Sequence, residues 1–216
     1  GVPLAKLAAR VMAGAKLKDL GFTEERVPSY SSVKESVFPF NRFPGVDIML
    51  GPEMKSTGEV MGIDEDFGRA YMKSQLAAGQ NLPLKGTVFV SVRDKEKRSI
   101  VFVAKRLVDL GFSLVATQGT AKALKKGGID VEVIRKATEA RPNILDFIKD
   151  GKIDLIINTP SGRIPREDEV KIRSSAIMHG VPCITTLSGA QASVNGIEVL
   201  LKKDLDVKPL QAYHKT

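Results

Sequence analysis

SLVATQGTAKAL, Ser113 to Leu124, decides the fold. A short apolar run, SLVAT, enters the small-residue turn Thr117-Gln118-Gly119-Thr120, and a helix is predicted from Thr120 to about Lys126. A strand that passes straight into a helix is the unit of a parallel sheet. The same unit recurs on both sides. TVFVSV, from Thr87, precedes a helix with Ile100, Val103, Ala104 and Leu107 on its inner face, stopped at Gly111. VEVIRK precedes a helix after Pro142-Asn143, and IDLIINT precedes one from about Arg166 to His179. PCITT precedes a last helix from about Ala190 to Leu201, which Asn195-Gly196 should weaken. The expectation over residues 85–216 is an α/β domain: an open parallel five-stranded sheet with helices on both faces.

Residues 1–84 have another texture. Leu4 to Met12 spaces as an Ala-rich helix ending near Gly14. VKESVFPFNRFPGVDIMLGPEMKSTGEVMG is broken by Pro39, Pro44, Gly45, Gly51, Pro52, Gly58 and Gly62, which predicts short strands and ordered loops. Asp64 should open a further helix with Phe67, Ala70, Tyr71 and Ser74 inward, and Gly79 to Gly86 reads as a linker. The opening GVPLAKLAARVMAG lacks an initiator Met and starts inside a helical pattern, as expected of a piece of a longer or processed protein.

Composition sets outer limits. Hydrophobic content of 43% and charged content of 27% fit a globular chain rather than a disordered one. No apolar run is long enough to cross a bilayer, and no secretory signal pattern is present. The single Cys183 excludes an internal disulfide and reads as a small core residue, so a reducing, cytoplasmic setting is expected. The net charge of +8 invites nucleic acid, but the basic residues are dispersed and aromatics make up only 6%, which argues against it. A small anion explains the charge as well.

Ligands of open parallel sheets bind beyond the carboxyl ends of the strands. Here those ends carry Ser91 and the run to Lys97, then Thr117 and Thr120, then Lys136, then Asn158, Thr159 and Arg163, and finally Thr185. Hydroxyls, amides, glycine and cations dominate, while carboxylates are scarce. Helix N-termini add unpaired N–H groups, and Gly119 admits close approach. Taken singly, Thr120 reads as a helix cap worth about 1 kcal/mol and the lysines as surface residues. Their shared edge instead predicts a site for a phosphorylated or carboxylated small molecule, a nucleotide included. Neither a dinucleotide glycine fingerprint nor a P-loop is present.

SVRDKEK, ATQGTA, INTPSGR and TTLSGA, at these spacings, resemble the methylglyoxal-synthase-like domain. KESVFPFNRFPGVDIMLGPEMKSTGEVMG resembles the end of the second ATP-grasp region in the carbamoyl-phosphate synthase large-subunit family, where such a domain follows. The resemblance implies an ATP-grasp remnant with a linker over 1–84 and an allosteric effector domain over 85–216. It implies a large subunit that makes carbamoyl phosphate from bicarbonate, ammonia and two ATP, with Mg or Mn. A glutamine amidotransferase small subunit would supply the ammonia.

The family's effectors are UMP or IMP, or N-acetylglutamate in the urea-cycle form. Its nucleotide pocket matches Ser91, Lys97, Thr117, Thr120, Lys136, Asn158 and Thr159. The next position, often Thr, is Pro160 and lacks a hydroxyl donor. An ornithine site of some members matches Glu35 and Thr185, but its Asp position is Ile184, which cannot neutralise an ammonium. Self-association through the effector domain is a further implication. No catalytic residue, metal or cofactor is expected within these 216 residues.

Overall fold

Three strands of the main sheet are buried on both faces, which is why they read as unbroken apolar runs. Val88, Val90, Leu114, Ala116, Leu155 and Ile157 point to one side of the sheet. Phe89, Val115 and Ile156 point to the other. The computed structural model describes residues 2–37, 58–160 and 167–214.

In chain order the elements are α1 (Leu4–Met12), β1 (Ser31–Val37), β2 (Gly58–Asp64), α2 (Phe67–Ala77), β3 (Thr87–Ser91), α3 (Ile100–Asp109), β4 (Ser113–Thr117), α4 (Gln118–Lys126), β5 (Glu132–Ile134), α5 (Ile144–Lys149), β6 (Leu155–Asn158), α6 (Glu167–Met178), β7 (Cys183–Ile184) and α7 (Leu187–Lys202). The sheet is all parallel, in the order β5-β4-β3-β6-β7. Residues of α3, α4 and α7 fill the core on one face, and residues of α5 and α6 fill the core on the other. The expected five-stranded α/β layer is therefore present.

Local chemistry explains most boundaries. Gly111 ends α3 at φ +92°. Asn143 and Asp146 close a reciprocal capping box on α5. Three helix starts differ from expectation, among them that of α7, which begins at Leu187 rather than about Ala190. The helix expected at Asp64 begins after Asp66, whose side chain caps Arg69 N. Asp64 instead ends β2 and holds Arg69 and Lys73 by ion pairs of 3.2 and 2.7 Å. Phe67, expected inward, is exposed, and Met72 is buried in its place. Likewise α4 starts two residues early, at Gln118, with Thr117 in the N-cap position and no side-chain cap bond.

The segment before the main sheet is an antiparallel pair, β1 with β2, covered by α2. It does not stand apart. Met72 of α2 and Leu82 of the connecting stretch lie in the same core as β3 and β4. Asn195-Gly196 does not break α7. A Cβ on Gly196 would lie 2.6 Å from Met72 Cγ, so the glycine is where α2 nests against α7.

Gly62 in β2 is tighter still, since a Cβ there would fall on the Ala70 carbonyl oxygen of α2. Backbone cannot yield as a side-chain tip can. Gly62→Ala should therefore lower stability by about 1–3 kcal/mol. Gly58→Ala, whose Cβ would meet nothing within 4 Å, should leave the melting midpoint nearly unchanged. Equal midpoints for the two variants would contradict this packing.

Candidate functional site

The chain steps from β3 to β4 to β5 in one direction and then returns past both to place β6 on the far side of β3. Helix α3 after β3 packs on one face of the sheet and helix α6 after β6 packs on the other, so the strand order reverses between these two carboxyl ends. Such a reversal is where open α/β sheets bind ligands. Ser91 and Asn158 are register partners at that point.

The hydroxyls meet there. Ser91 Oγ lies 3.3 Å from Thr117 Oγ1, and the Thr117 hydroxyl donates to Thr120 Oγ1 at 3.5 Å. Thr120 Oγ1 also accepts from Val92 N at 3.3 Å, so this residue ties the first turn of α4 to the end of β3. Thr159 Oγ1 accepts from Arg93 N at 3.1 Å, and Thr159 N donates to Ser91 O. Asn158 Nδ2 faces Ser91 O at 3.5 Å. Ser91, Thr117, Thr120, Asn158 and Thr159 thus form one hydrogen-bonded cluster, and all but Ser91 are buried.

The cations surround it. Lys97 pairs with Asp94 at 2.6 Å, and its ammonium lies 2.8 Å from where a Cβ on Gly119 would be. The absence of a side chain at 119 is what lets Lys97 rest over the first turn of α4. Lys136 is half-buried, two residues beyond Ile134, the register partner of Thr117. Its backbone N–H is held by Glu139 at 2.8 Å. Arg163 lies outside the described residues.

Glu35 and Thr185 are not joined by a described hydrogen bond. Glu35 accepts from Ser74 at 3.3 Å and Gln75 at 2.5 Å on α2. Thr185 sits between β7 and the Thr186 cap of α7. Ile184 packs against the core. Burial pushes the Glu35 carboxyl above its ordinary range, against the pull of those two hydrogen bonds.

Three charged residues, Arg93, Glu96 and Arg173, are not singled out as site residues from the sequence. Glu96 is buried and pairs with Arg93 through Oε1. Its Oε2 makes no hydrogen bond of ordinary geometry. Burial works to raise its pKa, yet Arg93 and the nearby Thr159 hydroxyl hold it below the usual range. Arg173 of α6 is fully buried, and its NH1 donates to Asn158 Oδ1 at 3.0 Å. Its spacing did hold a clue, because Glu169 and Arg173 stand four apart on the stripe that also carries Ile172 and Ala176.

A parallel five-stranded sheet flanked by helices on both faces defines an α/β domain, and residues 99–185 match the MGS-like domain family. Three carbamoyl phosphate synthase large chains are similar over nearly the whole chain. That of Nostoc sp. is 52% identical over 213 residues, 99% of this chain and 19% of the relative. That of Archaeoglobus fulgidus is 53% identical over 216 residues, 100% of this chain and 20% of the relative. That of Methanothermobacter thermautotrophicus is 54% identical over 214 residues, 99% and 20%. The chain belongs to the carbamoyl phosphate synthase large-chain family and corresponds to the C-terminal region of those proteins. It spans about a fifth of the length of the curated relatives it matches.

Two predictions follow from the geometry. Gly119→Ala moves only the flexible tip of Lys97 and improves helix propensity by about 0.5–1 kcal/mol. The melting midpoint should hold or rise while binding of a phosphate-bearing probe at this edge weakens, as read by paired melting and titration. Glu35 has a raised folded pKa, so its contribution to stability is greatest at low pH and is lost as pH rises through that raised range above 4.5. Glu35→Gln keeps an acceptor for Ser74 and Gln75, so its melting midpoint relative to the parent should improve as pH is raised from about 4, near the ordinary Glu value, to about 8, well above it.

Proposed function

We propose that this chain is the C-terminal regulatory part of the large subunit of glutamine-hydrolysing carbamoyl-phosphate synthase, and that its strand-end cluster binds an anionic allosteric effector, a nucleotide such as UMP or IMP. The observation that carries the reading is the meeting of Ser91, Thr117, Thr120 and Asn158 at the switch point, with Lys97 resting over the first turn of α4. Unpaired N–H groups, hydroxyl donors and ammonium groups suit phosphate oxygens. Pro160 beside this cluster gives neither a hydroxyl nor an N–H, so the ligand is held from the β3, β4 and β5 sides.

In this reading residues 1–84 are the end of an ATP-grasp region with its linker, and residues 85–216 are the effector domain. Carbamoyl phosphate synthesis from bicarbonate, ammonia and two ATP, with Mg or Mn, belongs to the remainder of the large subunit. A glutamine amidotransferase small subunit feeds it, and the product serves pyrimidine and arginine synthesis in the cytoplasm. Among the described residues no cluster of three or more His, Cys, Asp or Glu could hold a metal ion. No described helix is long and apolar enough to cross a membrane. Regulation is linkage: an effector that prefers one arrangement of the domains shifts distant sites by its differential affinity. α7 starts at the end of β7 and runs to α2, so it is the rod that carries the effect.

A lyase of the methylglyoxal-synthase type needs an available carboxylate base at this edge. Asp94 and Glu96 are engaged by Lys97 and Arg93, which disfavours it.

Calorimetric titration of the chain with UMP, IMP and N-acetylglutamate tests the proposal. At least one should bind with sub-millimolar affinity, ~−4 kcal/mol or stronger. Lys136→Ala should weaken that binding by about tenfold, the scale of one charged hydrogen bond. No binding, or full binding by Lys136→Ala, would overturn the assignment. Bicarbonate-dependent ATPase from the chain alone would overturn the separation of regulation from chemistry.

A further inference from the structure

Asn158 has an amide with two unlike ends, and which end is turned toward the strand ends decides what kind of ligand atom it can meet. Arg173 answers that. A guanidinium only donates, so the atom it touches at 3.0 Å must be the carbonyl oxygen of Asn158. Arg173 is 0% exposed and Asn158 1% exposed, so water does not offer either an alternative. The NH2 group of Asn158 is left on the side of Ser91 and the strand ends.

Thr120 is fixed in the same sense. Its oxygen accepts from Val92 N and from the Thr117 hydroxyl, so what remains for a ligand is its own proton. Thr159 is already used, since its oxygen accepts from Arg93 N beside the Glu96 carboxylate. What interior partners leave unused on Thr120 and Asn158 is donor capacity, because those partners occupy their acceptor sides.

We propose that Arg173 is a positioning residue that sets the polarity of this site: by holding Asn158 Oδ1 it makes Asn158 a pure donor, so the ligand must set a phosphate, carboxylate or carbonyl oxygen against it. An amino or ammonium group is rejected at the same place. This rests on the strand-end cluster being the effector site and adds the rule by which that site selects ligand atoms.

The test uses the full 216-residue chain, with UMP, IMP and inorganic phosphate as probes. Asn158→Asp keeps the shape and pairs with Arg173 but turns an acceptor outward. It should retain or raise the melting midpoint while losing about tenfold or more in affinity for the probes that the parent binds. Arg173→Met should show a similar loss, and Arg173→Lys, which still donates, should restore part of it. In an Asn158→Ala background Arg173→Met should cost nothing further, which a merely structural role would not produce. Undiminished binding by Asn158→Asp overturns the proposal, as does an equal loss from Arg173→Met in both backgrounds. If Arg173→Met does not fold, the Asn158→Asp arm decides alone. A parent chain that binds no probe removes the effector site itself, a failure seen before any variant is compared.

Discussion

The pairing of β3 with β6 governs the rest of the molecule. These strands are far apart in sequence, and between them the chain goes out to β5 and returns. Closing so long a connection costs conformational entropy, and burial on both faces of the sheet offsets it. Phe89 and Ile156 on one face, and Val90 and Ile157 on the other, are adjacent only through this pairing. The same register sets Ser91 beside Asn158, with the helices that follow the two strands on opposite faces. Core and site therefore share one constraint, and a slip of register that spoiled the first would dismantle the second.

Beyond that register the site depends on buried polar groups being satisfied. A lone buried hydroxyl or amide costs roughly 1–3 kcal/mol, so each needs a partner of the right kind. Thr120 finds Val92 N, Thr159 finds Arg93 N, and Asn158 finds Arg173. These bonds cross from β6 and α4 onto the loop after β3, so the loop that carries Lys97 is fastened from both sides. Under the proposed function, little rearrangement would be left to make on binding, which favours affinity.

Strand and helix identity was legible in the sequence because it is local. Runs such as TVFVSV and SLVAT, and the spacing of Ile100, Val103, Ala104 and Leu107, carry their own periodicity. Strand order was not legible, since strands buried on both faces look alike until paired. Ser91, Thr117, Thr120 and Asn158 could be singled out because polar residues at strand ends are conspicuous. Arg173 and Glu96 could not, because a charged residue is by default assigned to solvent, and only a partner brought in by the fold makes it interior. The early start of α4 has a similar cause: the Thr120 hydroxyl accepts from Val92 N and from Thr117, tertiary and local bonds that leave it inside the first turn rather than at the cap. Gly196 misled for the opposite reason. Its low helix propensity is a local effect, and the nesting of Met72 outweighs it.

That nesting has a thermodynamic reach. Met72 lies in the same apolar core as Val90, Leu124 and Val194. Elements that share one core tend to open as one cooperative unit in amide exchange. Under the proposed function, a ligand bound at the ends of β3 and β6 would by mass action slow exchange in α2 as well. Helix α2, which precedes the sheet in the chain, would then report on events at the ends of its strands.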